Sequence, residues 1–117
     1  MSLENVNTPP IRVRLMADYS MGAGFPLWSD ADVDGAESKS WDLPEDLTVA
    51  LSSWQADFDN AYDPVSGWPS LELLNRHFKE AIRLRTCLER ALPDNVIELD
   101  YWQIMVNGKE EPLPDIV

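Results

Sequence analysis

Arg85 is the residue whose position has the clearest chemical consequence. A helical projection of Ser70–Leu92 places it in the apolar arc. A guanidinium stays charged, so a buried arginine needs a carboxylate partner, for which Asp18 and Glu89 are the candidates. Together with Tyr19, Arg85 and Asp18 predict a small-ligand or enzymatic site in which the arginine holds an anionic group. The alternative is that Arg85 extends past the edge of the core to water, or pairs with Glu89 at the surface.

Three aspartates at alternate positions form a second chemical pattern. Asp30, Asp32 and Asp34 are followed by Gly35. Their order resembles the start of an EF-hand loop, in which alternating oxygen ligands bind Ca²⁺ and glycine permits a sharp turn. The twelfth loop position is Trp41, where that family has a glutamate, and the preceding residues do not form a helical pattern. The pattern therefore predicts either a Ca²⁺ site at Asp30–Gly35 or a solvated acidic loop.

Tryptophan is the most abundant aromatic residue, with five copies. Trp54 continues an apolar helical stripe, which predicts a core position. The other four fall in loops or at a strand end, where they line a partner surface or cover the edges of a small core. We expect an interaction surface at Trp28, Trp41, Trp68 and Trp102.

The sequence contains one histidine and one cysteine, His77 and Cys87. A histidine triad or a cysteine-based zinc site needs partners of these types that the sequence does not supply. We therefore expect His77 to be a packed, partly buried residue. No nucleophile elbow, glycine-rich phosphate loop or H-E-x-x-H motif occurs, which favours a non-enzymatic role and leaves catalysis an open alternative.

The spacing of apolar residues predicts the helices and strands that position these side chains. Alternating apolar residues predict strands, apolar residues three and four apart predict helices, and prolines bound both. Strands are predicted at residues 11–19 and 96–104, a short edge strand at 25–28, and helices at 43–62 and 70–92. The expected fold is α+β, with two long helices on one face of a two- or three-stranded sheet in the order β-(β)-α-α-β.

The length of 117 residues fits one domain. We assign residues 11–106 to a single α+β domain, residues 1–10 to a flexible N-terminus and residues 107–117 to a C-terminal tail that opens with an Asn107-Gly108 turn. If the two main strands are neighbours, Arg12 and Arg14 lie near Glu98 and Asp100, which gives these four charges a structural role.

Charge is distributed unevenly along this acidic chain. The net charge is −12, yet residues 70–92 contain five of the nine Lys and Arg residues and only three acidic ones, so this segment carries +2 and the remainder −14. Such a balance disfavours nucleic acid and anionic membranes and favours a basic protein partner. The absence of an apolar run of membrane-spanning length and the single cysteine predict a cytoplasmic protein.

Several apolar and turn residues, spread over about half of the chain, form a pattern that resembles known proteins. They are Asp18-Tyr19, Pro26-Leu27-Trp28, Leu43-Pro44, Leu47, Leu51 and Trp54. This pattern resembles a group of small bacterial proteins of unknown function, which implies a bacterial origin and a compact α+β fold. In acidity and size the chain is also similar to immunity proteins, which neutralise basic nuclease toxins. The leading hypothesis is a non-enzymatic interaction protein with an acidic surface and exposed aromatic residues.

Overall fold

A computed structural model describes residues 12–19, 25–29 and 43–114 of the chain. The elements in chain order are β1 (Arg12–Leu15), β2 (Leu27–Ser29), α1 (Glu45–Ala61), α2 (Leu71–Ala91), β3 (Val96–Leu99), β4 (Met105–Val106) and β5 (Lys109–Glu110). The predicted N-terminal segment 1–10 and the acidic loop with its aspartate motif lie outside the described residues.

The three main strands form a sheet in the order β2-β1-β3. β2 runs antiparallel to β1 and returns the chain to the end of the sheet where β1 begins. Two helices of opposite direction follow and leave the chain at that end, so β3 runs parallel to β1. The edge position predicted for the segment around Pro26 is confirmed: Pro26 precedes β2, and its carbonyl accepts a hydrogen bond from the Met16 N–H at 3.0 Å.

One face of this sheet is apolar and the other is charged. Val13 and Leu15 are fully buried, and Leu27 and Ile97 extend the same layer against the helices. The opposite face carries the predicted charge pairs: Arg12 Nε lies 3.4 Å from Glu98 Oε2, and Arg14 Nε lies 4.0 Å from Asp100 Oδ2. The fold class is therefore α+β with both helices on one face, as the alternating strand pattern predicted.

The helices begin where capping chemistry indicates. Pro44 occupies the N-cap of α1, with Glu45 and Asp46 in the first turn near the positive end of the helix dipole. The Ser70 hydroxyl caps α2 by accepting a hydrogen bond from the Leu73 N–H at 3.2 Å. Buried side chains of both helices meet the sheet, and the largest fully enclosed ones include Trp54, Phe58, Leu74, Leu84 and Leu88.

The strand predicted over residues 96–104 is shorter in the structure. β3 ends at Leu99, which aligns with Leu15, the last residue of β1, so the following residues have no strand to pair with. Within residues 100–104 Gln103 is buried and Asp100 stays exposed. The chain then resumes as a hairpin, with Asn107 (φ 49°) and Gly108 (φ 83°) in the left-handed turn that the Asn-Gly dipeptide predicted. β5 contains the first residues after this turn, within the segment assigned as the tail.

Candidate functional site

Exposed and buried aromatic rings meet where β1 leaves the sheet. The Tyr19 ring lies 5.0 Å from that of Phe58 and 5.8 Å from that of Trp102, and Trp102 packs edge-on against Tyr62 at 5.7 Å. Tyr19 remains 51% exposed and Trp102 is half-buried, whereas Phe58 is fully enclosed. The cluster therefore joins the core to the surface and presents two ring systems to solvent.

A buried glutamine holds the backbone that carries Tyr19. Gln55, on α1, is 3% exposed, and its amide accepts from the Asp18 N–H at 3.4 Å and donates to the Asp18 carbonyl at 2.9 Å. The same Gln55 nitrogen donates to Asp59 Oδ1 at 3.1 Å. A second buried glutamine, Gln103, donates to the Ala17 carbonyl. The segment after β1 is thus fixed from two elements, which orients Tyr19 outward.

Three carboxylates lie on the segments that hold this exposed pair of rings, and Asp18 and Asp63 interact with Tyr19. Asp18 adjoins Tyr19, Asp59 lies in the last turn of α1, and Asp63 follows the helix end. The last turn of α1 contains no basic residue, so the negative pole of the helix adds to these carboxylates. No Lys or Arg of the described segments lies within 4.0 Å of the three carboxylates. We call Tyr19, Trp102, Asp18, Asp59 and Asp63 the aromatic–acidic patch.

The protonation of the patch follows from its surroundings. Asp63 Oδ1 accepts hydrogen bonds from the N–H groups of Ser66 (3.0 Å) and Val65 (2.7 Å), which lowers the pKa of this carboxyl. The pKa of Tyr19 is raised by partial burial, and then by Tyr62 and the neighbouring carboxylates. At neutral pH the Asp63 carboxylate is therefore anionic and the Tyr19 phenol neutral, and a negative charge beside aromatic rings attracts cationic side chains.

His77 is packed inside the protein and does not line the patch. It is 5% exposed and stacks on Trp54 with ring centroids 4.6 Å apart. Its Nε2 lies 3.0 Å from the Trp54 carbonyl and its Nδ1 lies 2.9 Å from the Tyr101 hydroxyl. Since a carbonyl only accepts, Nε2 carries the proton and Nδ1 accepts from Tyr101. Burial lowers the pKa of His77 to about 4, so the ring is neutral and structural, as predicted.

The structure unites only part of the predicted ligand site. Asp18 and Tyr19 adjoin each other in the aromatic–acidic patch, whereas Arg85 is half-buried on α2. Neither of its candidate partners, Asp18 or Glu89, lies within 4.0 Å of its guanidinium. The geometry thus places the tyrosine and aspartate with Trp102 and not with the arginine.

The four tryptophans predicted as an interaction surface have different environments. Trp102 belongs to the patch, and Trp28 is half-buried on the charged face of the sheet, where its indole donates to the Met16 carbonyl at 3.0 Å. The prediction is wrong for Trp68, which is 1% exposed because its ring enters the core and its indole donates to the Gln103 carbonyl at 2.9 Å. Trp41 lies outside the described residues.

The predicted calcium ligands Asp30, Asp32 and Asp34 also fall outside the described part of the chain. Within that part, no three His, Cys, Asp or Glu side chains converge as a metal site would require. Neither of the described helices is both long and apolar enough to cross a membrane.

The sequence pattern did not predict three of the residues at this site, Gln55, Asp59 and Asp63. The available signal was Gln55 itself, a polar residue beside Trp54 on the buried arc of α1, with Asp59 one helical turn later. A polar side chain in an apolar stripe must find a hydrogen-bond partner, here the backbone of Asp18.

Comparison with known families places these features in context. The family described as Serratia CdiI immunity protein-like matches residues 11–103, which span the sheet of β1, β2 and β3 together with both helices. No protein with a curated description matches the sequence.

Proposed function

This chain belongs to the Serratia CdiI immunity protein-like family, and we propose that it is a non-enzymatic interaction module that neutralises a toxic protein by binding it. On this proposal it works in the bacterial cytoplasm, where it meets a toxin with a basic surface. The family description points to an immunity protein, and the negative charge of the chain favours a partner with a positively charged surface.

The aromatic–acidic patch is the observation that carries the proposal. Tyr19 and Trp102 provide ring faces over which a lysine or arginine can lie, and each such cation–π contact contributes about 0.5–1 kcal/mol at an exposed site. Asp18, Asp59 and Asp63 supply the opposite charge. Because the Gln55 and Gln103 hydrogen bonds already hold the backbone next to Tyr19, binding costs little additional ordering there.

The net charge of −12 supports the same partner class over longer distances. A basic toxin is attracted before contact, which raises the association rate, and this part of the attraction falls as salt screens it. Direct contacts at the patch then govern how long the complex lasts.

Coexpression with candidate toxin domains, taken from the genes that neighbour this one, tests the function. We expect restored growth of the producing cells, copurification of the two chains, and slower association at high salt. A toxin domain that kills despite coexpression and does not copurify at low salt would refute the proposal.

Substitution of Tyr19 tests the surface. Tyr19→Ala removes a ring that is 51% exposed and should weaken binding at least about tenfold, as for a central aromatic contact. The matched control is Val96→Ala, which removes an apolar side chain that is 46% exposed on β3, at the end of the sheet away from the patch. Equal affinities of the two variants for the toxin domain would remove the patch from the interface.

A further inference from the structure

The outward faces of the two helices carry opposite charges. α1 contains four acidic residues and no Lys or Arg, whereas α2 contains five basic and three acidic residues. The groove between them has a volume of about 810 Å³. Asp46 and Asp57 line it from α1. Arg76, Lys79 and Arg83 line it from α2 together with one acidic residue, Glu80, so the α2 wall keeps a net positive charge.

These opposite charges are not paired across the groove. Arg76 pairs with Glu72 at 3.5 Å and Arg83 pairs with Glu80 at 2.6 Å, both along α2 itself. Among the described residues, no ion pair joins α1 to α2. Attraction between the two helices of one chain therefore produces no direct ion pair. Among the described residues Lys79, Asp46 and Asp57 have no ion-pair partner, and the pairs of Arg76 and Arg83 are exposed, so another molecule can compete for them. Val49, on the α1 wall, adds an apolar side chain that is 60% exposed.

We propose that this helical face binds a second copy of the chain. A partner of uniform charge would be attracted by one wall and repelled by the other. A second copy carries both signs in the same arrangement, so a twofold axis parallel to the helices lays α1 of each molecule over α2 of the other. Such an interface is self-complementary, as a twofold dimer requires.

Hydrogen bonds between α1 and α2 show which residues lie at the same level along the two helix axes, and so which ion pairs can form between two copies. Trp54 and His77 lie level with each other, since the Trp54 indole donates to the His77 carbonyl at 3.0 Å and His77 Nε2 contacts the Trp54 carbonyl. The helices are antiparallel, and counting from this level places Asp57 within one turn of Arg76 and Asp46 within one turn of Arg83. The rotation about the proposed axis preserves height, so these are the pairs expected between copies.

The size of the face fits a weak dimer. Helices of 17 and 21 residues are about 25 and 31 Å long, and two helices side by side are about 20 Å wide. Each copy would then bury about 600 Å², near the lower limit for a specific interface. Two copies that each carry a net charge of −12 repel each other at a distance. The dimer therefore depends on how well the opposite charges of the two helices align.

Charge reversal on each wall provides the test by analytical ultracentrifugation. One variant is Asp46→Lys/Asp57→Lys and the other is Arg76→Glu/Arg83→Glu. We expect the unmodified protein to sediment at twice its 13.3 kDa mass at high concentration and each variant alone to sediment as a monomer. An equimolar mixture of the two variants should dimerise again, because all four contacts in the mixed dimer join opposite charges.

If these charges acted only within one chain, mixing the two variants would not restore the dimer. Asp94→Lys/Glu110→Lys changes the net charge as the first variant does, but outside the groove, and it should leave the dimer intact. Circular dichroism confirms that each variant is folded. A monomeric unmodified protein, a dimer unaffected by both reversals, or a mixture that stays monomeric would overturn the proposal. Loss of binding to the toxin domain by the groove variants, with a monomeric parent, would assign the face to that partner instead.

Discussion

Mild acid should destabilise this protein through His77. The folded pKa of about 4 lies below the usual 6.5 because burial disfavours the charged ring. The unfolded chain therefore binds the proton first, so the contribution of His77 to stability is complete above pH 6.5 and is lost as the pH falls toward 4. From these two values, linkage gives a loss of about 2 kcal/mol by pH 5 and about 3 kcal/mol by pH 4.

Urea unfolding followed by tryptophan fluorescence measures this loss. Between about pH 6.5 and pH 5, ordinary carboxylates are still ionised in both states, so the slope in this window belongs to His77. His77→Gln should be less stable at neutral pH but should show a flat profile across the window. Since the chain has one histidine, its NMR signal directly reports the folded pKa. An imidazole that titrates near 6.5 in the folded protein, or a variant with an unchanged slope, would refute the reasoning.

Substitutions at three further positions test the fold by urea unfolding at neutral pH. Gly67 has φ 81° and a Cβ there would overlap the Met105 carbonyl, so Gly67→Ala should cost at least about 2 kcal/mol, and a near-neutral result would contradict the described loop. Ser70→Ala removes the α2 cap and should cost about 1 kcal/mol, whereas Ser70→Gly should cost only a few tenths. Arg12→Ala breaks an exposed pair with Glu98 and should cost less than about 1 kcal/mol; a larger loss would mean that the pair is more than a surface contact.

Local patterns were sufficient for most of the fold. The helix bounds followed from Pro44 and Ser70. The pairing of Arg12 with Glu98 was expected only if the two main strands are neighbours, a strand order that the sequence did not determine. What periodicity could not reveal was the direction of pairing between β1 and β3, or that the strand pattern continuing through Tyr101 would lose its partner. Alternation in a sequence records which face is buried, not whether a neighbouring strand extends equally far.

The site was harder to predict, because it depends on contacts between distant segments. Tyr19 and Trp102 were each singled out, but only the fold shows that their rings meet over Phe58. For Arg85 one helical projection suggested Asp18 or Glu89 as a partner, or exposure at the edge of the core. Such a projection gives an angle around the helix axis and no distance to another segment. Trp68 was assigned to the surface from its loop position, although a loop can turn a large ring into the core.

The parallel pairing of the first and third strands has a consequence for synthesis. Arg12 aligns with Val96, so about 80 further residues must be translated after β1 before β3, its second neighbour in the sheet, has been synthesised. At 5–20 residues per second this interval lasts roughly 4 to 16 s, during which Val13 and Leu15 belong to a nascent chain without its closing strand. Such distant partners slow folding, and we expect the apolar side chains of β1 to stay without part of their final packing until β3 has been synthesised.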